Sequence, residues 1–255
     1  MFPLPNSNIT LPPIGRGAPT LPYEKLEHGK NYWVIDNVLE NAEEIAERCF
    51  NYPNWEYGAP YQPESWPGMR FRGALNQSEL TTIETLVKSL VGKDKLWMEQ
   101  PSGGLRLDCN VAQLVGEKES TPHPHTDSRK LCRYACVIYL SPNPAPDSGT
   151  SFCRLRYPNG AIGGNMVAAP HNNLVDALKV RGLPTEAWYE DMRVENVFNR
   201  MILYKANFVH CATGYFGKEL REKRLTTVFF WMTEDWFRRK HPAKNIQKKN
   251  AFISK

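Results

Sequence analysis

No apolar run in this chain approaches the roughly 20 residues that a membrane-spanning helix requires, and the N-terminus has neither the basic start nor the apolar centre of a secretory signal. A soluble, cytoplasmic protein is the expectation. Paired cysteines are missing too. Cys49, Cys109, Cys132, Cys136, Cys153 and Cys211 are scattered through apolar segments with no CxxC pair, which excludes the dense disulfide framework of a small secreted domain. They read as reduced, mostly buried thiols, with Cys132 and Cys136 sharing one face of a strand. A strong charge of one sign is also lacking: 32 Lys and Arg stand against 27 Asp and Glu, and part of the excess sits in the tail from Arg238 to Lys255. That tail carries no base-reading motif, so neither nucleic acid nor a membrane is an expected partner. No internal repeat is present.

What remains is a chain of 255 residues, 41% hydrophobic and 11% aromatic, enough for one substantial core. Residues 1–22, rich in Pro, read as an extended arm, residues 23–237 as a single domain, and residues 238–255 as a basic tail. Within the domain, 23–104 provide helical and loop support. Tyr32 to Asp36 reads as a strand. Asn41 with Glu44 resembles a capping box for a helix burying Ile45, Ala46, Cys49 and Phe50. A long aromatic loop follows, holding Trp55, Tyr57, Tyr61 and Trp66 between prolines and glycines. A second helix begins near Ser78 with Leu80, Ile83, Val87 and Leu90 on one stripe, and ends at Gly92.

From residue 105 the pattern turns strand-like. The runs 105–115, 131–140, 150–156, 200–209 and 224–232 are rich in β-branched, aromatic and aliphatic residues, and a helix near Asn173 to Val180 interrupts them. The fold class is therefore mainly β with flanking helices, an antiparallel double-sheet jelly roll over 105–232.

The segment TPHPHTDS, residues 121–128, places His125 and Asp127 one residue apart just before a predicted strand, so alternation aims both side chains the same way. One imidazole and one carboxylate are two of the three ligands of the facial triad that suits iron(II). His28, His171 and His241 lie early in the chain, at a helix start and in the tail, whereas His210 ends the apolar run from Leu203 to Val209. An isolated His-x-Asp is common as a plain hydrogen-bonded pair. His123 with His125 is an alternative pair for zinc, although Pro122 and Pro124 box His123 in.

Fourteen residues after His210 comes the run from Arg224 to Phe230, whose alternation sets Arg224, Thr226, Val228 and Phe230 on one face. A guanidinium offers a planar fork for a carboxylate, and a hydroxyl two residues on can donate to the same group. The opposing reading turns Arg224 to solvent and Thr227 and Phe229 inward. Arg221, in the polar turn before it, is the second candidate for the anchor and is expected to face water.

The ordered set of His125-Thr-Asp127, His210 and Arg224-Leu-Thr226 resembles the 2-oxoglutarate and iron(II)-dependent dioxygenases over about residues 105–232. The block from Asp147 to Phe152 resembles the Gly-Thr turn and strand of prolyl-hydroxylase-like members, and Trp66 to Arg70 with Tyr32 to Asp36 resembles a bacterial branch of that superfamily. The resemblance implies a double-stranded β-helix and a hydroxylase that couples the conversion of 2-oxoglutarate to succinate and carbon dioxide to oxidation of a substrate. Fe(II) would be held by His125, Asp127 and His210, the catalytic set, 2-oxoglutarate by Arg224 and Thr226, and O2 is the second cosubstrate. Asp127 speaks against halogenation, because related halogenases replace that carboxylate. An amino acid, a peptide or an amino-acid-derived natural product is the expected substrate, with Trp66, Arg70, Arg72 and Arg129 as candidate contacts. Trp55 and Tyr61 are candidates to cover it. Two alternatives stay open: an oxidase with the same triad and no 2-oxoglutarate, and a cupin-like module that binds a metabolite without turning it over. No signal for an oligomeric state is present.

Overall fold

The computed structural model describes residues 19–57, 67–99 and 109–234. Its strands, in chain order, are β1 (Tyr32–Ile35), β2 (Glu56–Tyr57), β3 (Met69–Arg72), β4 (Leu96–Trp97), β5 (Val111–Val115), β6 (Tyr134–Tyr139), β7 (Thr150–Leu155), β8 (Trp188–Val194), β9 (Met201–Lys205), β10 (His210–Ala212) and β11 (Arg224–Thr233). The helices are α1 (Ala42–Phe50), α2 (Gln77–Val91) and α3 (Leu174–Leu178). A large sheet runs β1-β9-β6-β11-β5-β3-β2, with β4 on the end of β11, and a small sheet runs β10-β7-β8. These pairings are antiparallel. His125 extends the small sheet by one bridge to His210. From β5 onward the chain passes back and forth between the sheets, with β5, β6, β9 and β11 in one and His125, β7, β8 and β10 in the other. This is the double-stranded β-helix, or jelly roll, expected from the strand pattern.

Strand β11 shows why the two sheets enclose a site. It lies between β5 and β6 and is buried along its whole length. Both faces are covered, so its sequence is a near-continuous hydrophobic run rather than an alternating one. Leu225, Phe229 and Trp231 pack with Ile45 of α1 and Ile83 and Val87 of α2. Val228 and Phe230 point the other way, into a cluster with Tyr139, Phe152, Tyr204 and Phe208 between the sheets. Arg224 and Thr226 share that inner face through the two-residue period, so a charge and a hydroxyl enter the space between the sheets.

Helix α2 ends at Gly92 as its sequence predicts and starts at Gln77, behind a capping box that was not expected from the sequence. Asn76 and Glu79 form a reciprocal capping box and Gly92 closes the helix at φ +63°. The box expected at Asn41 does not form. The Asn41 amide instead donates to Glu79 at 2.9 Å and to Glu44 at 3.4 Å, tying α1 to the cap of α2. Among the described residues no helix is long and apolar enough to cross a membrane.

Several element edges differ from expectation. The strand expected from residue 131 begins at Tyr134, because Leu131 and Cys132 donate to the Ser128 carbonyl in a turn. Cys132 and Cys136 therefore do not share a strand face: Cys132 packs between the sheets and Cys136 on the helix side. All six cysteines are free thiols, five of them buried. The run 200–209 breaks after Lys205, and His210 opens a new strand in the opposite sheet. Strand β8 and the pair β2 and β3 lie where no strand was expected. Of the Pro-rich arm, the described residues lie on the domain, with the Pro22 carbonyl accepting from Asn165 at 3.0 Å. Residues 105–108, Tyr61, Trp66 and the basic tail lie outside the described residues.

Candidate metal centre

His125, Asp127 and His210 come together with one ligand atom each, all within 4.8 Å of one another. Reciprocal backbone bonds hold the two histidines side by side: His125 N donates to His210 O at 3.0 Å and His210 N to His125 O at 2.9 Å. Asp127 N donates to Ala206 O at 3.0 Å, which fixes the carboxylate opposite the turn that precedes His210. Each imidazole has its Nδ1 on a carbonyl two residues back, His123 O at 2.8 Å and Phe208 O at 2.9 Å. A carbonyl accepts only, so each Nδ1 carries the proton and each Nε2 presents a lone pair to the cluster. The ring of His123 is outside the cluster. The alternative His123 and His125 pair is thus not what the chain assembles.

The electrostatics of the three groups favour a cation. Burial lowers the pKa of both histidines, that of His210 further because His125 is beside it. Burial also pushes the Asp127 carboxyl up to about 8. Its Oδ2, 3.8 Å from His210 Nε2, is buried with no hydrogen-bond partner. A buried carboxylate oxygen without a partner is costly, and a divalent ion between three such atoms removes that cost. The donor set, two neutral imidazoles and one carboxylate, fits iron(II) and leaves coordination positions open on a six-coordinate ion. Tyr204 packs 4.6 Å from the His210 ring, with Phe152 at 6.5 Å, and keeps water from that side.

Arg224 is 4% exposed, so the reading that turned it to solvent does not hold. Its Nε donates to Ser148 O at 2.8 Å and its Nη2 to Gly149 O at 3.4 Å, and the guanidinium lies 5.5 Å from the Tyr139 ring and 5.8 Å from Tyr215. Gly149 is required here, since a Cβ would sit 2.0 Å from the Val194 carbonyl. Among the described residues no carboxylate pairs with this buried charge. Thr226, beside it on β11, is buried with its Oγ1 unpartnered. Arg221 faces water as expected and grips Glu47 of α1.

The candidate substrate contacts are spread differently. Arg70 is buried on β3, in one row across the large sheet with Gln113, Thr226 and Tyr139. Arg72 is exposed at the end of β3, and Trp66 lies outside the described residues. Arg129 donates through Nη1 to the His171 carbonyl, so its guanidinium leans toward the segment before α3. Trp55 packs edge-on against Phe71 at 4.7 Å in the helix-side cluster, a structural position rather than a cover for the site. Gln113, not singled out from the sequence, stands in the same row as Arg70 on β5 and donates through Nε2 to Pro67 O at 3.3 Å; its alternation with Val111 and Val115 was the available signal. Also missed was Asn172. Its side chain bonds Ser128 Oγ at 2.9 Å and Lys130 N at 2.8 Å, and its carbonyl accepts from Arg129 N at 3.0 Å, clasping the chain just past Asp127.

Among solved structures, the chain is similar to a Trichoplax adhaerens prolyl hydroxylase in complex with a hypoxia inducible factor peptide, at 11% identity and TM-score 0.46 over 80% of this chain and 84% of that one. It is also similar to the non-haem, alpha-ketoglutarate-dependent carbocyclase SnoK of nogalamycin biosynthesis, at 13% identity and TM-score 0.49 over 80% of each chain. A third is HygX from Streptomyces hygroscopicus with nickel, 2-oxoglutarate and hygromycin B bound, at 14% identity and TM-score 0.43 over 81% of this chain and 84% of that one. No curated protein matches the chain. The family model described as a family of unknown function, DUF6445, matches residues 18–230, which span both sheets and the His-Asp-His cluster, and the chain belongs to that family.

Proposed function

We propose that the protein is a non-haem iron(II), 2-oxoglutarate-dependent oxygenase that hydroxylates an amino acid, a peptide or an amino-acid-derived natural product. The observation that carries the reading is a pair of buried, uncompensated groups on the inner side of the double sheet. A buried carboxylate oxygen on Asp127 lacks a cation, and a buried guanidinium on Arg224 lacks an anion. One ligand set with both a metal and a dicarboxylate satisfies both.

Iron(II) held by His125 Nε2, Asp127 and His210 Nε2 would supply the centre at which oxygen is activated while 2-oxoglutarate is converted to succinate and carbon dioxide. The chain's own residues do the rest. Two neutral imidazoles and one carboxylate leave a divalent ion with net positive charge, which favours an anionic chelator. The carbonyls of His123 and Phe208 keep the imidazole protons on Nδ1 and so hold Nε2 in its ligand form. Arg224, oriented by Ser148 and Gly149, binds the far carboxylate of 2-oxoglutarate, and Thr226 Oγ1 donates to the same group. Arg70, Arg72, Arg129 and Trp66 are the proposed substrate contacts, which suits a substrate carrying a carboxylate.

Equilibrium binding of 2-oxoglutarate to the iron-loaded protein under nitrogen tests the reading. Binding should depend on the metal, vanish in Asp127→Ala, and weaken in Arg224→Ala by about 2–5 kcal/mol, the cost of removing one partner of a buried charged pair. Undiminished binding in Arg224→Ala would contradict the assigned anchor. Iron binding with no affinity for 2-oxoglutarate would favour the oxidase or the binding module instead.

A further inference from the structure

Asn196 carries a second, unexplained polar group beside the Arg224 cradle. Its side chain is 7% exposed, and both its Oδ1 and its Nδ2 are buried without a hydrogen-bond partner. Few native buried amides are left with neither end satisfied, because each unpaired polar atom costs free energy that an apolar side chain of the same size does not. Such a residue points to a ligand that completes it.

Its position says which ligand. Val194, at the end of β8, faces inward into the cluster with Tyr139, Phe152 and Val228. Beyond it the inside-outside alternation continues for three residues: Glu195 is exposed, Asn196 buried and Val197 exposed. Asn196 is thus buried just past the end of β8, two residues beyond the inward-facing Val194. The backbone of Asn196 abuts Gly149, since a Cβ on Gly149 would lie 2.9 Å from Asn196 N. Gly149 is the residue whose carbonyl receives Arg224 Nη2. Three residues further on, Asn199 N donates to the Tyr139 carbonyl at 2.8 Å, and the Tyr139 hydroxyl bonds Thr150, which stands opposite Val194. The segment that carries Asn196 is therefore placed beside Gly149 at one end and tied to Tyr139 through Asn199 at the other. The orphan amide of Asn196 thus lies on the chain next to Gly149, the residue that receives the Arg224 guanidinium, and Thr226 with its orphan hydroxyl is two residues from Arg224 on β11.

We infer that Asn196 is a binding residue for the cosubstrate, its Nδ2 donating to the carboxylate that Arg224 and Thr226 hold. The inference rests on the oxygenase reading above and adds to it a residue outside the His-x-Asp, His and Arg-x-Thr pattern.

The test is calorimetric binding of 2-oxoglutarate to the iron-loaded protein under nitrogen, with wild type, Asn196→Leu and Asn196→Asp, each also measured for iron affinity and thermal midpoint without 2-oxoglutarate. The leucine variant should bind 2-oxoglutarate about 10- to 100-fold more weakly, the range for a lost hydrogen bond to a charged group. Its iron affinity should be unchanged and its midpoint no lower, since an unsatisfied amide has been replaced by an apolar group of similar size. The aspartate variant should also bind more weakly, because it sets a carboxyl against the ligand's carboxylate. Wild-type affinity in either folded variant overturns the role of Asn196 and leaves the oxygenase reading standing. Loss of iron along with 2-oxoglutarate overturns it too, since Asn196 would then act through the metal ligands. Failure of the wild type to bind 2-oxoglutarate overturns both.

Discussion

The proton on each imidazole of the cluster is assigned by a backbone carbonyl, and the carboxyl between them is pushed up to about 8 by burial. At neutral pH the metal-stripped folded chain therefore holds a proton on Asp127 that the unfolded chain, with its carboxyl near about 4, has released. That contribution to stability is fully present below about 4 and is lost as pH rises through about 8. The histidines run the other way. Burial depresses both, so their contribution is present above about 6.5 and is lost as pH falls through their lowered values. A cation must displace the Asp127 proton to bind. Affinity for iron(II) should then rise about tenfold per pH unit up to about 8 and level off above it, with about one proton released per ion below that point. Calorimetry in two buffers of different ionisation enthalpy counts the protons, and a pH-independent affinity over that range contradicts the ligand role of Asp127. At this scale the alternation of His125 with Asp127, and of Arg224 with Thr226, was legible, because a period of two is a local property. Gln113 and Asn196 were not. A polar residue in an apolar run shows its chemistry in sequence but not whether anything pairs with it.

At the scale of elements, the chain following Asp127 is shaped by a segment more than forty residues away. Leu174 N, at the start of α3, donates to Thr126 Oγ1 at 3.0 Å, and the Asn172 side chain bonds both Ser128 and Lys130. The connection between β7 and β8 thus grips the segment that carries the proposed metal ligands on either side of Asp127. Asn172→Ala should weaken iron binding several-fold through a mobile carboxylate, while global stability falls by about 1 kcal/mol, the net worth of a typical hydrogen bond. Metal titration and denaturant unfolding measure the two separately, and unchanged iron affinity would mean that the clasp serves the fold alone. None of this was visible in the sequence, since a contact between Asn172 and Ser128 has no local signature. The misplaced cap at Asn41 has the same origin. Asn41 and Glu44 have the spacing of a capping box, but Glu79 of a different helix takes the amide. Strand edges failed at Lys205 and Cys132 for a related reason: where the chain crosses between sheets, the apolar run continues through the turn.

For the whole molecule, a two-sheet jelly roll follows from spaced β-rich runs after two helices. The helix side and the inner side of β11 are both apolar, so the run read as a strand with Arg224, Thr226, Val228 and Phe230 on one face, while its central place between β5 and β6 had no local signature. What the fold contributes to function is a shared interior. From three separated segments it brings His125 and Asp127, His210, and Arg224 with Thr226 to the inner side of the two sheets, the first three with ligand atoms within 4.8 Å of one another and the last two buried. Under the proposed function these residues act together in one oxygen-dependent reaction. The measurement that tests it most directly is the formation of succinate from 2-oxoglutarate by the iron-loaded protein, followed with oxygen uptake against a library of amino acids and peptides. Succinate and oxygen uptake in equal amounts, rising with a library component and absent in Asp127→Ala, is the predicted result. Oxygen uptake that proceeds without 2-oxoglutarate, or iron and 2-oxoglutarate bound with no succinate under any condition, would contradict it.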